Sequence, residues 1–206
     1  MAKHVLQFRI TLNYVTPKVW RRIQVPDDYT FWDLHCAIQD AMGWMNCHLH
    51  GFTISEKNAR PVNAVRIQMP NPEWDEGDEL DESKEQLIDW LPKRVEQCLY
   101  TYDFGDTWDH TVLFEKILPA EKKKYPVCVA GKNTCPPEDC GGPGGYERKQ
   151  EVIKNPKTEE DREIVEWMGL EEDEKYDPTV FNIEEVGFAN PKTLLKEYLR
   201  DQESYG

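Results

Sequence analysis

This sequence of 206 residues contains no long apolar run and no CxxC pair of cysteines, and its first residues do not resemble a secretory leader. Its longest apolar stretches are only a few residues long, which is too short to cross a bilayer. The N-terminal sequence Met-Ala-Lys-His-Val-Leu-Gln-Phe-Arg introduces charge before an apolar region can form, unlike a signal peptide. The six cysteines include no CxxC spacing, so no standard zinc finger is encoded. We therefore expect a soluble cytoplasmic protein with reduced thiols and no membrane partner.

Basic charge is also scarce in this sequence. Against 39 Asp and Glu there are 25 Lys and Arg, a net charge of −14, which disfavours nucleic acid as a partner. Residues 73–86 and 156–178 each carry a net charge of −7 and together hold the whole acidic excess. The rest of the chain is balanced, so we expect the acidity to lie on solvated surface, in a loop and a helical flank.

The apolar content is nonetheless sufficient for a folded protein. Apolar residues make up 39% of the chain and aromatic residues 11%, which a disordered acidic chain would lack. We expect residues 1–145 to form a sheet domain that ends in a Pro/Gly/Cys-rich loop. Residues 146–206 are expected to form a helical extension packed on the same domain.

Alternating apolar residues predict strands in the first two thirds of the chain. Strands are predicted at residues 6–12, 19–25, 49–54, 62–69, 98–104 and 110–118. The clearest helix begins at the N-cap Thr30, which has Asp33 three residues later, and ends at Gly43. Further helical segments are predicted at residues 87–91, 146–154, 158–168, 181–186 and 191–200, with irregular loops at 70–86 and 119–145. This order predicts an α+β fold, a β-grasp-like mixed sheet with one crossing helix, followed by a C-terminal helical segment.

Two histidines in the segment His48-Leu49-His50-Gly51-Phe52, at the start of the predicted strand, form the first group that could carry chemistry. A strand would place His48 and His50 on one face, roughly 6.5–7 Å apart, which is a workable spacing for two metal ligands. The alternative is that both are half-exposed strand histidines with no ligand.

A turn between two predicted strands forms the second group. Asp103, Asp106, Asp109 and His110 crowd the end of this hairpin, so they could ligate a metal or form an acid–base pair. The alternative is a turn in which Asp side chains bond backbone N–H groups while Trp108 packs on the sheet.

The Pro/Gly/Cys-rich loop forms the third group. Cys135 and Cys140, together with His48, His50 or His110, could complete a tetrahedral zinc site. Glu138 and Asp139 could instead supply oxygen ligands to a harder metal. The alternative is a rigid surface loop whose thiols are buried as small apolar groups.

These same segments resemble the plasmid ORF-three-like family, noted on a root-inducing plasmid and also labelled a TnpR passenger protein of insertion elements. The resemblance rests on Val19-Trp20-Arg21-Arg22-Ile23, His48-Leu49-His50, Tyr102-Asp103-Phe104-Gly105-Asp106 and Cys135-Pro136-Pro137-Glu138-Asp139-Cys140. The family is largely uncharacterised, so the resemblance transfers no catalytic residue. Its label as a passenger protein implies an association with mobile genetic elements. The TnpR label suggests a DNA-acting resolvase, a reading that the net negative charge disfavours.

Three functional hypotheses follow from the sequence. The first is a non-catalytic binding domain for an unknown protein or small ligand, with a surface formed by Trp20, Arg22, Trp44, Tyr102, Asp103, Trp108, Glu138 and Asp139. The alternative is a metal-dependent, hydrolase-like enzyme that uses a His/Asp/Glu cluster and zinc or another divalent ion. Its candidate metal ligands are His48, His50, Asp106, His110, Cys135 and Cys140. The third, disfavoured hypothesis is the resolvase.

Overall fold

The computed structural model describes residues 3–55, 64–70, 77–170 and 176–205, and in this part of the chain the strands form a single sheet. The strands are β1 (His4–Leu12), β2 (Trp20–Pro26), β3 (His50–Ile54), β4 (Val65–Gln68), β5 (Leu80–Asp81), β6 (Gln97–Tyr102), β7 (Trp108–Pro119) and β8 (Val127–Lys132). Their order across the sheet is β5-β4-β3-β6-β7-β1-β2-β8. The described strands pair antiparallel except β4 with β5, so the sheet is mixed, as predicted.

The helices complete an α+β fold, which confirms the predicted class. They are α1 (Phe31–Met42), α2 (Leu87–Trp90), α3 (Gly142–Lys154), α4 (Glu159–Trp167) and α5 (Pro191–Tyr205), with a 3₁₀ turn at Ile183–Glu185. None of the helices in the described ranges is both long and apolar enough to cross a membrane.

Helix α1 crosses one face of the sheet between the two caps that the sequence predicts. Thr30 and Asp33 form a reciprocal capping box at its start, and Gly43 adopts the left-handed conformation at its end, with φ 86°. Helix α1 is buried on almost every side because the C-terminal segment covers its outer face. Trp32 donates its indole N–H to the Pro191 carbonyl, and Asp40 accepts from the Ala189 N–H.

The irregular loop predicted at residues 119–145 is wrong in two places. It contains strand β8, which pairs with β2, and helix α3 begins at Gly142 rather than at residue 146. The six residues of β8 follow a proline, and their apolar and polar side chains alternate too weakly to predict a strand. They form one because they pair with β2, which is distant in the sequence. Its Gly131 also allows Phe181 to pack closely, since a Cβ there would lie 2.4 Å from the Phe181 ring.

Other boundaries shift more modestly. Strand β5 lies inside the loop predicted at residues 70–86, of which residues 71–76 are outside the described ranges. The strand predicted at residues 62–69 is observed as Val65–Gln68, and residues 62–63 are likewise not described. Helix α5 extends five residues beyond its predicted end.

Candidate functional site

Sheet pairing brings the first two motif segments together. His50 in β3 lies opposite Tyr102 in β6, so the residues that precede β3 run beside the turn between β6 and β7. The Asp103 N–H donates to the Leu49 carbonyl over 2.8 Å. His48 is therefore held beside Asp103, although the two residues are distant in sequence.

A close backbone approach docks the third segment onto the same turn. The Gly141 N–H donates to Asp106 Oδ2 over 3.0 Å. Gly142 has φ +67°, and a Cβ at this position would lie 2.3 Å from the Asp106 carbonyl oxygen. Only glycine fits both requirements without strain. Asp106 thus positions the loop through its contact with Gly141.

Three of the predicted residues meet at the point of convergence, and we call them the His48 cluster: His48, Asp103 and Asp139. Each offers one ligand atom, and these atoms lie within 4.8 Å of one another. His48 Nε2 is 3.1 Å from Asp139 Oδ1, and His48 Nδ1 is 3.8 Å from Asp103 Oδ2. His48 Nε2 is enclosed, yet its geometry to the Asp139 carboxylate does not make a hydrogen bond. The cluster thus brings one imidazole and two carboxylates close together, and His48 Nε2 has no hydrogen-bond partner among the described residues.

Glu138 lies next to this cluster in a fixed orientation. Its carboxylate accepts from the Tyr102 hydroxyl over 2.5 Å and from the Met45 N–H over 2.9 Å. Cys47 Sγ lies 3.6 Å from the same carboxylate, and Cys47, His48 and Glu138 also place their ligand atoms within 4.8 Å of one another. Burial raises the pKa of both the Tyr102 hydroxyl and the Cys47 thiol, and the Glu138 charge adds to each shift.

The aromatic residues expected at a binding surface are mostly buried, which corrects that expectation. Trp108 and Tyr102 are fully buried, and Trp44 is 7% exposed. Trp44 stacks on Tyr102 with ring centroids 5.1 Å apart and donates its indole N–H to the Pro136 carbonyl. Trp44 thus connects the Pro/Gly/Cys-rich loop to strand β6, so these buried rings stabilise the site and do not form a binding surface.

Trp20 and Arg22 lie elsewhere, on the sheet face opposite helix α1. Arg21, the residue between them, faces α1 and donates to the Ala41 carbonyl, so its neighbours in the strand point away. Arg22 forms a two-point ion pair with Glu115 over 2.7 Å, and the Trp20 ring lies under the Arg9 guanidinium. The structure does not bring these two residues to the His48 cluster.

Five of the six predicted metal ligands are also outside the His48 cluster, among them Asp106, which accepts from the Gly141 N–H instead. His110 is fully buried against the Tyr100 carbonyl, and burial lowers its pKa to about 4. Burial raises the pKa of the Cys140 thiol to about 12 and raises that of Cys135 as well. Among the described residues, neither thiol belongs to a group of His, Cys, Asp or Glu side chains whose ligand atoms lie within 4.8 Å of one another, so this geometry does not support the prediction that they ligate zinc. His50 forms its ion pair with Glu82 instead.

A cavity of about 470 Å³ opens beside His48. It is lined by Trp32, Asn46, Cys47, His48, Leu49, His50, Gln68, Met69, Phe104, Leu194, Tyr198, Asp201 and Gln202. Leu49 and Phe104 are each 49% exposed and form an apolar part of its rim. Helix α5 supplies one wall, so the cavity combines residues from both ends of the chain.

The buried polar residues behind this cavity were not predicted from the sequence. His35 on α1 and Glu82 are both fully buried, whereas the acidic segment that contains Glu82 is predicted to be solvated surface. A carboxylate within an acidic run carries no local signal of burial. His35 falls on a helix that is apolar on most sides, which is the one sequence feature that could have drawn attention to it.

Comparison with known proteins gives concordant results over most of the chain. The sequence model of the family described as "Plasmid pRiA4b ORF-3-like protein" matches residues 4–185. The uncharacterized protein y4hQ of Sinorhizobium fredii is 33% identical over 190 residues, which cover 92% of each chain. The crystal structure of MM3350, a protein of unknown function from Methanosarcina mazei Go1, is similar with a TM-score of 0.79 and 39% identity. That similarity covers 91% of this chain and all of MM3350.

Proposed function

The chain belongs to the plasmid pRiA4b ORF-3-like family, and we propose that it is a ligand-binding domain centred on a divalent metal ion held by the His48 cluster. The relatives named above are described as uncharacterized or of unknown function, so the proposal rests on the geometry of this chain.

The observation that carries the proposal is the state of His48 Nε2. This nitrogen is enclosed, lies 3.1 Å from a carboxylate oxygen and has no hydrogen bond to it. A buried polar atom without a partner is costly, and most such atoms in folded proteins are satisfied. A metal ion between His48, Asp103 and Asp139 would satisfy the imidazole and neutralise both carboxylates.

The donor types indicate which ion the cluster would take. One imidazole nitrogen and two carboxylate oxygens suit zinc or manganese better than a soft, thiolate-selective ion. Cys47 and Glu138 lie close enough to His48 to add a further ligand. A thiolate from Cys47 would favour zinc, and Glu138 alone would shift the preference toward manganese.

A site with three protein ligands leaves coordination positions for another molecule. Zinc sites with three protein ligands bind water or substrate, whereas structural zinc sites are closed by four. The cavity beside His48 has about 470 Å³, which matches a small organic ligand rather than a protein segment. Binding of a small ligand is therefore the function that this arrangement supports best.

Elemental analysis of protein purified without a His-tag tests the proposal. After loading with zinc or manganese and removal of the excess, we expect about one ion per chain in the wild type. His48→Gln should lower this stoichiometry several-fold, and the exposed His4→Gln variant should keep it. Equal metal content in the wild type and His48→Gln would refute the site.

The competing account is an ion triad without metal. A protonated His48 between Asp103 and Asp139 would balance part of the charge and leave no role for zinc. This account predicts that metal loading leaves no bound ion in the wild type, so the same analysis separates the two.

Glu138 favours a second candidate function, metal-dependent hydrolysis. Its carboxylate is held by Tyr102 and the Met45 N–H beside His48, a position from which it could accept a proton from a metal-bound water. Hydrolysis of an ester or phosphoester panel by zinc-loaded protein, lost in Glu138→Gln while the metal stays bound, would support this function. Activity unchanged in Glu138→Gln would exclude Glu138 from that role.

An association with mobile genetic elements remains part of the proposal, on the strength of the family description alone. The resolvase alternative predicts binding to duplex DNA that weakens steeply with salt. We expect no mobility shift of duplex DNA at low salt, and a shift that salt abolishes would revive this alternative.

A further inference from the structure

Aromatic rings form one wall of the cavity beside His48. Trp32 on α1 and Tyr198 on α5 both line it, and their ring centroids are 5.5 Å apart. The Trp32 indole N–H donates to the Pro191 carbonyl, which fixes this ring against the start of α5. Leu49 and Phe104 form the apolar rim on the side of the sheet. A ligand in this cavity therefore meets aromatic rings from α1, from α5 and from the β6–β7 turn.

Asp201 places a carboxylate next to this aromatic wall. It follows Tyr198 by three residues on α5, and residues three apart lie on the same face of a helix. Both line the cavity, so the carboxylate lies within one helical turn of the Tyr198 ring. Asp201 also pairs with Arg200 over 3.4 Å, but both side chains are mostly exposed, and an ion pair on the surface is weak. A carboxylate has two oxygens, so Asp201 can pair with a second cation inside the cavity.

The cavity wall supplies no basic side chain to balance Asp201. Of the described residues that line the cavity, none is Lys or Arg. Glu82 is fully buried behind the wall, with its Oε1 2.8 Å from His50 Nε2, so a proton on His50 is balanced by Glu82 and the pair adds no net positive charge. The second Glu82 oxygen is enclosed and accepts no hydrogen bond from any described residue. The protein groups around the cavity are therefore net negative.

A divalent ion in the His48 cluster would not reverse this balance. The cluster holds the carboxylates of Asp103 and Asp139, and Glu138 places a third carboxylate beside His48. Three carboxylates exceed the charge of a divalent ion by one, and the excess is larger when the ion is absent. The electrostatic potential of the cavity therefore favours a positively charged ligand in both states.

We propose that the cavity binds a small organic cation, an amine or quaternary ammonium with an apolar body, through the Asp201 carboxylate and the rings of Tyr198 and Trp32. Aromatic rings attract such cations, and the attraction is strongest where water is excluded. Leu49 and Phe104 cover the apolar body at the rim. The inference rests on the proposed ligand-binding function and names its ligand class, but it holds with or without the metal ion.

Two variants test the residues that would hold the cation. Asp201→Asn should weaken the binding of benzyltrimethylammonium several-fold and leave that of neutral benzyl alcohol unchanged. Asp89→Asn is the matched control, because Asp89 also forms an exposed helical ion pair, with Lys93, and does not line the cavity. Tyr198→Leu should likewise weaken binding of the cation more than that of the alcohol. Equal affinity for the cation in Asp201→Asn and Asp89→Asn would refute the proposal.

Titration of the wild type with benzyltrimethylammonium, benzyl alcohol and benzoate tests the ligand class. Binding is measured from the nitrogen-15 NMR signal of the Trp32 indole N–H, in chelator-treated and in zinc-loaded protein. The ammonium nitrogen cannot ligate a metal, and we expect this cation to bind about ten-fold more tightly than the other two ligands in both samples.

The two samples separate this inference from the metal site. Benzoate or benzyl alcohol binding as tightly as the cation in either sample, or no saturable shift with the cation at millimolar concentration, would refute the ligand class. Preference for benzoate that appears only after zinc loading would refute the ligand class and support the metal site. Preference for the cation in protein that retains no zinc would support the inference and refute the metal-centred function.

Discussion

His48 Nε2 and Asp139 Oδ1 lie 3.1 Å apart, although strands β3 to β8 separate the two residues along the chain. The contact exists because two backbone arrangements coincide. Pairing of β3 with β6 places His48 beside the β6–β7 turn, and the glycine loop closes on that turn from the other side.

Gly142 tests the docking of the loop. Gly142→Ala would place a Cβ 2.3 Å from the Asp106 carbonyl at a φ of +67°, so the loop must move. We expect a loss of about 1–3 kcal/mol in the free energy of unfolding, measured by urea denaturation, together with weaker zinc binding. Gly144→Ala is the matched control, because a Cβ there meets nothing within 4 Å. Equal stability of the two variants would argue against the docking.

Alkylation of Cys47 tests whether the metal ion binds next to the cavity wall. It is the exposed cysteine of the six, and burial with the nearby Glu138 raises the pKa of its thiol. Alkylation by iodoacetamide should therefore select Cys47 and accelerate as the pH rises through this elevated pKa. Zinc should slow the reaction several-fold, as measured by mass spectrometry. Cys47 alkylated at one rate with and without zinc would place the ion elsewhere.

The pH dependence of stability tests whether burial keeps the His110 imidazole neutral in the folded protein. Its pKa is lowered to about 4 by burial, so the folded protein holds it neutral while the unfolded chain takes up a proton below about 6.5. Its contribution to stability is therefore complete above about pH 6.5 and falls as the pH drops toward 4, by on the order of 3 kcal/mol. Buried His35 acts in the same direction.

The measurement for His110 is the urea midpoint between about pH 4.5 and 7. We expect His110→Gln to be less stable at neutral pH but to lose less stability on acidification than the wild type. His4→Gln, at an exposed ion pair, should keep the wild-type slope. An unchanged slope in His110→Gln would mean that this imidazole is not held neutral.

The Tyr102→Phe variant tests whether the Tyr102 hydroxyl holds the Glu138 carboxylate in place. Its hydroxyl donates to the Glu138 carboxylate and accepts from the Cys47 N–H, so Tyr102→Phe leaves both without this partner. We expect a loss of about 1–3 kcal/mol in unfolding free energy. Tyr14→Phe, at a side chain that is 80% exposed, serves as the control. The prediction fails if the two variants denature at the same urea concentration.

Local sequence patterns predict most of the strands and helices. Features that depend on contacts between residues distant in the sequence could not be predicted. Helix α1 follows from Thr30 and Gly43, whose capping chemistry acts within a few residues. Strand β8 does not, because its main stabilisation comes from pairing with β2. The His48 cluster likewise required the loop to close on the turn, and no residue spacing encodes that closure. Glu82 was hidden because burial of one carboxylate among many acids depends on its tertiary partner, His50.

An anomalous diffraction map from zinc-soaked crystals would show directly whether the His48 cluster holds a metal ion. We expect one strong peak within bonding distance, about 2.0–2.2 Å, of a His48 ring nitrogen and of carboxylate oxygens from Asp103 and Asp139. A peak beside the buried thiols of Cys135 and Cys140, or no peak at His48 in crystals soaked at saturating zinc, would contradict it.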